Sequence, residues 1–488
     1  MDTKLSRRDF LKLTGFVAAA SGLWGCSRAA DVLATPSPVP TVDSPDPLTF
    51  AALTRITFGP RPEEVERASQ IGLDNFIDEQ LAWEAVDDPE VGVRLAGLST
   101  LEMSAPELAE LEKRGQPATE LMTAALLRAV YSRRGLYEQM VHFWTDHFNI
   151  YIGKNQDRIL KTADDREVIR PHALGKFRDL LSASAHSPAM LVYLDNAAST
   201  KDGPNENYAR ELMELHTLGV DGGYTQTDVE EAARALTGWT VRRRTGEFFF
   251  DARIHDDGEK TILGVVFPAG QGIRDGEQLI EMLAVHPATA RYIATKLVIR
   301  FVSDQPPASL VERAAAAFAQ TDGDLVKVMG EILHSEEFRA SLGGKLKRPF
   351  DFVVSALRQT SAETEADRAI LYLLTQMGQR PFFWPAPNGY PEAGAAWLNS
   401  NDLLARWNFA LGLVTGALRD TQVDLPSLAS GAATVEAALD ALSLRLLGGA
   451  LTGVPRQYLL EALAGYSLDD ALAPLAALLL AAPHFQIR

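Results

Sequence analysis

The stretch NENYARELMELHTLG, residues 205–219, interleaves carboxylates, an arginine, a histidine and two asparagines with leucine and methionine. Its apolar residues recur at three- and four-residue intervals, which predicts a helix. At about 100° per residue, Glu206, Arg210 and Glu214 stack on one face as an acid–base–acid ladder. Tyr208, Leu212, Leu215 and Gly219 form the apolar face. On a straight helix Glu214 and His216 project about 160° apart, and Glu211 and His216 about 140°. Neither pair therefore points into one small site, and the spacing does not resemble the Glu-x-x-His pair of carboxylate-bridged di-metal bundles. Asn205, Glu206 and Asn207 open the helix, where their side chains can cap it and orient Arg210 and Glu211. So many ionisable groups beside an apolar stripe point to a helix lining an internal polar site. In an enzyme, Glu211 or Glu214 would serve as acid or base and Arg210 would clamp an anionic substrate, with Asn205 and Asn207 as further contacts.

The same period recurs at 118–134, 135–149, 286–303 and 401–418, so the expected fold is mainly α, a large multi-helix globular unit. TQTDVEEAARALTGW, residues 225–239, places Thr227 and Glu230 in capping-box spacing and stops at Gly238. One region reads as strand: residues 239–250, with a turn at Thr245-Gly246, predict a small β-hairpin within 239–263. Its arginine and phenylalanine triplets read as wet and dry faces. The run LAPLAALLLAAP, residues 472–483, is short and broken by proline, which fits a core helix and not a membrane span.

The N-terminal residues read differently. SRRDFLK, residues 6–12, sets Arg7 and Arg8 just before an apolar run at 13–24 that is too short to span a bilayer. It resembles a twin-arginine export signal. Cys26 ends that run and is the only cysteine of 488 residues, which predicts a lipidated cysteine closing a signal peptide at 1–26. Residues 27–47 are rich in Pro, Ser and Thr and read as an extended tether. A single folded domain is expected over 48–488. The protein is then exported and membrane-anchored, on the outer side of the cytoplasmic membrane or in the periplasm.

A net charge of −17 and a pI near 5.1 exclude nucleic acid as a partner, since its binders need basic surfaces. One cysteine excludes structural disulfides, thiolate zinc sites and iron–sulfur clusters, so a divalent metal would have to sit on His, Asp and Glu. HFWTDHFN, residues 142–149, offers His142 and Asp146 one turn apart with His147 adjacent, and RIHDDGEKTILG offers His255. The alternative is a set of hydrogen-bonded core residues. GQRPFFWPAPNGYP, residues 378–391, is a rigid aromatic loop. Trp384 and Tyr390 would stack a sugar or peptide there, or lock the C-terminal helices in place. No nucleophile elbow, P-loop, dinucleotide fingerprint or zincin motif is present in the sequence.

RITFGPRPEEV, HFWTDHFN, HALGKFRDLL, SPAMLVYLDN, the 205–239 stretch, HDDGEKTILG, HPATARYIATKL and KRPFDFVVSALR follow one another in an order that resembles the bacterial domain of unknown function 1800 family. The resemblance spans the chain from about Leu48 onward. It implies a mostly helical, exported protein and supplies no activity. Two functions remain open on the residues: an enzyme with a buried Glu/Arg/His site, or a lipid-tethered envelope scaffold or binding module that meets an envelope protein or glycan. A buried cleft joining the motifs would favour the first, and their dispersal over separate helix ends the second.

Overall fold

The computed structural model of the chain describes residues 46–154, 156–242 and 244–488. Arg7, Arg8, Cys26 and all but the last two residues of the expected tether lie outside them. Asp46 caps the first described helix, Pro47–Ile56, by accepting from the Leu48 and Thr49 amides.

Helices dominate, as the periodicity predicts, and their apolar faces form two cores. The first is built by Pro47–Ile56, Gly135–His147, Phe177–Ala185, Gln226–Ala235, Pro287–Phe301 and Leu325–Leu333. The second is built by Gln116–Tyr131, Pro349–Gln359, Ser400–Val414, Val435–Leu447 and Leu468–Ala481. Beyond its exposed first turn, Leu468–Ala481 is buried almost all round from Ala471 despite Pro474, as expected of a segment apolar on every side. No described helix is long and apolar enough to cross a membrane.

The expected hairpin is present: β1 (Trp239–Val241) pairs antiparallel with β2 (Phe248–Phe250), Trp239 opposite Phe250. Gly246 takes the left-handed conformation its turn requires. A second hairpin pairs β3 (Lys260–Ile262) with β4 (Val265–Phe267). Both of its turn residues, Leu263 and Gly264, have positive φ. That is a type I′ signature written with leucine where Asn or Asp is usual, which hid it in the sequence. The Asp228 carboxylate compensates by accepting the Leu263 amide at 2.6 Å. A third, two-residue ladder joins β5 (Glu363–Thr364) to β6 (Thr421–Gln422).

Two expectations need correcting. The capping box lies at Thr225 and Asp228, not Thr227 and Glu230, so the Gln226–Ala235 helix starts two residues early. The polar helix is not straight: it runs as α over Glu206–Glu211 and then as a wide π segment over Leu212–Thr217, with the Leu218 amide bonding the Met213 carbonyl five residues back. Projection at 100° per residue therefore fails after Glu211.

Candidate functional site: a crevice beside a charged seam

Gly135–His147 is the element from which the site is built. Every residue along it is buried except His142, which is half-buried. Its polar side chains must then find partners inside the protein. Glu138 binds Arg170 through two bonds of 3.0 and 3.1 Å. Gln139 donates to the Thr57 carbonyl and accepts from Arg300. Asp146 accepts from Arg348 at 2.9 Å. His147 accepts from Lys296 at Nδ1, at 2.9 Å, so its Nε2 carries the proton and donates to the His216 carbonyl at 3.1 Å. His142 is the exception. Its ring stacks on Phe350 at 4.5 Å, yet neither nitrogen has a partner among the described residues, and Nε2 is fully enclosed.

Arg348 and Arg300 belong to a buried charged seam between the two cores. Arg300, on Pro287–Phe301, reaches Asp351 at 3.2 Å and Glu392 at 3.3 Å. Arg348, just before Pro349–Gln359, reaches Asp146 and, at 3.0 Å, Glu392. Arg488 reaches Asp351 at 3.4 Å. Burial alone would raise the Asp351 carboxyl, but Arg300, Arg488 and Arg348 draw it well below the usual range. Burial likewise opposes ionisation of Glu392, and Arg300 and Arg348 bring it down to about 2. Asp146 differs: burial pushes its carboxyl up to about 6, because Arg348 offsets only part of the desolvation.

Against this seam lies a crevice lined by Phe58, Phe350 and Phe382, and by His142, Asp146 and Tyr390. Glu138, Asp165, Arg170, Thr145 and Gln379 complete its polar wall. A second π segment, Asp165–Ile169, holds Asp165 and Arg170 together at 2.9 Å. The Gln379 Nε2 group is buried without a partner, like His142 Nε2. The free interior of ≈ 30 Å³ has room for about one or two water-sized groups. It therefore suits a small polar group in preference to a whole ring. Burial holds His142 neutral, its pKa well below the ordinary histidine value, and Arg348 adds to that effect.

Of the residues singled out in the sequence, the structure brings His142, Asp146 and Tyr390 to this crevice. Trp384 packs its ring on Tyr390 at 5.0 Å and donates from Nε1 to Asn388, while the Tyr390 hydroxyl donates to the Arg380 carbonyl. His147 turns away towards Lys296 and His216. His255 is enclosed elsewhere, with Nδ1 at the Thr237 carbonyl and Nε2 3.2 Å from Asp275. The four proposed ligands thus do not converge, and no group of three or more His, Cys, Asp or Glu side chains with metal-site geometry occurs among the described residues.

The polar helix lies apart from the crevice. Arg210 bonds Glu206 at 2.8 Å and Gln226 at 2.9 Å, with the pair about two-fifths exposed. Glu211 is half-buried, and its carboxyl is raised by burial and by Glu214. Glu214 accepts from the Tyr224 hydroxyl at 3.3 Å. Asn205 caps the helix through the Asn207 amide, and Asn207 donates to the Leu194 carbonyl. His216 is buried with both nitrogens unpartnered, its pKa brought down to about 3 by burial and Lys296. Sequence reasoning missed Arg300, Arg348, Asp351, Glu392 and Lys296. The signal was there: Lys296 and Arg300 sit four apart among the apolar residues of Pro287–Phe301, and KRPFDF carries three charges into the start of another helix.

Residues 51–487 match the model of a family described as "Protein of unknown function (DUF1800)". The chain belongs to that family. Comparison with curated proteins and with solved structures gives no match. Of the segments that carry the resemblance to DUF1800, HFWTDHFN, KRPFDFVVSALR and RITFGPRPEEV each send at least one side chain to the crevice wall: His142 and Asp146, Phe350, and Phe58.

Proposed function

We propose that this DUF1800 protein is an exported, lipid-tethered component of the cell envelope that carries out acid–base chemistry on a small polar group in the Asp146 crevice. The observation that carries the reading is His142: among the ionisable side chains of a helix that pairs the others, it alone keeps both nitrogens free, and it does so on a cleft wall. Leaving a buried polar atom unbonded costs about 1–3 kcal/mol, and a polar group held in the crevice would supply the bond that His142 lacks. Asp146, one turn on, has its carboxyl pushed up to about 6, the range in which a group can both take and give a proton at neutral pH. The Arg7-Arg8 signal and Cys26 support export and tethering.

The test uses purified mature protein against chromogenic esters, amides and glycosides. Turnover that changes around pH 6 and disappears in Asp146→Asn, with the circular dichroism unchanged, is the expected result. If no class turns over, the second reading stands: a scaffold or binding module for an envelope protein or glycan. The seam supports that reading, because its ion pairs join segments far apart in the chain and would fix one packing. For the tether, Cys26→Ser should release the protein from membranes, and Arg7→Lys with Arg8→Lys should leave precursor in the cytoplasm. A Cys26→Ser variant that stays membrane-bound would overturn the lipid anchor.

A further inference from the structure

Lys296 stands on the side of Gly135–His147 that does not line the crevice. Its one hydrogen bond is to His147 Nδ1, and no described carboxylate lies within ion-pair reach. The rings of Phe143 and Tyr292 flank the amine at 6.0 and 5.6 Å. The side chain as a whole is half-buried, unlike Lys345 and Lys347, which are each 2 % exposed and sealed in the fold. His147 cannot turn away, since its other nitrogen is held by the His216 carbonyl. Its Nδ1 lone pair therefore stays aimed at the amine.

We propose that Lys296 is an amine nucleophile that captures small aldehydes or ketones as an imine, with His147 carrying the proton. This goes beyond the crevice reading and does not depend on it. The neutral amine adds its lone pair to the carbonyl carbon while the carbonyl π pair moves to oxygen. Both amine protons leave nitrogen in turn by way of His147 Nδ1: the first turns the alkoxide into a hydroxyl, and the second reaches that hydroxyl as the nitrogen lone pair expels it as water. The product is the imine plus one water, with no change of oxidation state. A lysine desolvated in an apolar setting is a recurrent way of making such a nucleophile. Burial brings Lys296 down to about 8, against the pull of Glu392 and Asp146. The other titratable groups around it are His147 and His216, both held neutral by burial, and Tyr292 on its own helix.

The experiment treats the folded protein with propionaldehyde and cyanoborohydride and maps labelled lysines by mass spectrometry at early times. At pH 7 Lys296 should label on the order of ten-fold faster than exposed Lys113 and Lys201, because an ordinary lysine near 10.4 has far less free amine. Its labelling should rise to half-maximum near about 8, while the exposed lysines keep rising beyond pH 10. His147→Gln should remove the excess rate and leave Lys113 and Lys201 unchanged. Should that variant fail to fold, the wild-type pH profile decides alone. Labelling of Lys296 no faster than that of Lys113 and Lys201, or a profile parallel to theirs, overturns the proposal.

Discussion

A Cβ atom on Gly389 would lie 2.0 Å from the carbonyl oxygen of Asp146. Gly389 also has φ +69°, so its lack of a side chain is required twice over. At Gly389 the backbone of the Gly378-to-Pro391 loop packs directly on the helix backbone, next to the Tyr390 side chain that lines the crevice.

Gly389→Ala should therefore cost well over the roughly 1 kcal/mol of an ordinary glycine replacement. It should also disturb the crevice, because the loop carries Tyr390 and precedes Glu392. A denaturant titration followed by tryptophan fluorescence measures the loss; a midpoint within error of wild type would show that the loop is not seated on Asp146.

Arg300→Met leaves Asp351 and Glu392 buried with less compensation, and about 3–5 kcal/mol of stability should go with it. Asp351→Asn strands Arg300 and Arg488 and should cost a similar amount. Because the partners are shared, the double variant should lose clearly less than the sum of the two single losses. Additive losses in the unfolding midpoints would mean that these groups act independently.

Arg210→Met should do little. Its pair with Glu206 is about two-fifths exposed, and such helix pairs are worth about 0–1 kcal/mol. The sequence expectation of a shared internal pocket for Arg210 and Glu211 fails here for a physical reason: Arg210 turns outward to Glu206 and Gln226. A loss above about 2 kcal/mol would restore that expectation.

Stability should respond to acid in two opposed ways. Glu392 is held at about 2 against an unfolded value of about 4.3. Its contribution is therefore complete above about pH 4.3 and is lost as the pH falls towards 2. Asp146 runs the other way: its folded value of about 6 exceeds the unfolded value of about 3.9. The folded state holds that proton more tightly, so stability declines as pH rises from about 4 through 6. Asp146→Asn should abolish the second slope and keep the first. Unfolding midpoints measured across pH 2–8 check both signs.

The helical class could be read from the 3.6-residue period of segments such as 118–134 and 401–418, since burial of one face leaves that trace. The β1–β2 hairpin was legible from its turn glycine. The β3–β4 hairpin was not, because Leu263 adopts a conformation that leucine seldom announces. The site was legible in part. His142, Asp146 and Tyr390 could be picked out as polar or aromatic groups in apolar or proline-rich settings. Their meeting with Arg300, Arg348, Asp351 and Glu392 depends on contacts between distant parts of the chain, for which spacing carries no signal. The π segment at Leu212–Thr217 defeated projection for a local reason: its wider turn changes which residues share a face.

The seam also decides how the molecule answers to temperature. Apolar burial in the two cores levels off on heating, whereas the cost of keeping charges out of water falls as temperature rises. Arg300, Arg348, Asp351 and Glu392 thus hold the two halves together more effectively, relative to the cores, in warm solution than in cold. Chilling weakens apolar association as well, so the boundary between the halves, and the crevice beside it, is where the protein should first begin to open in the cold.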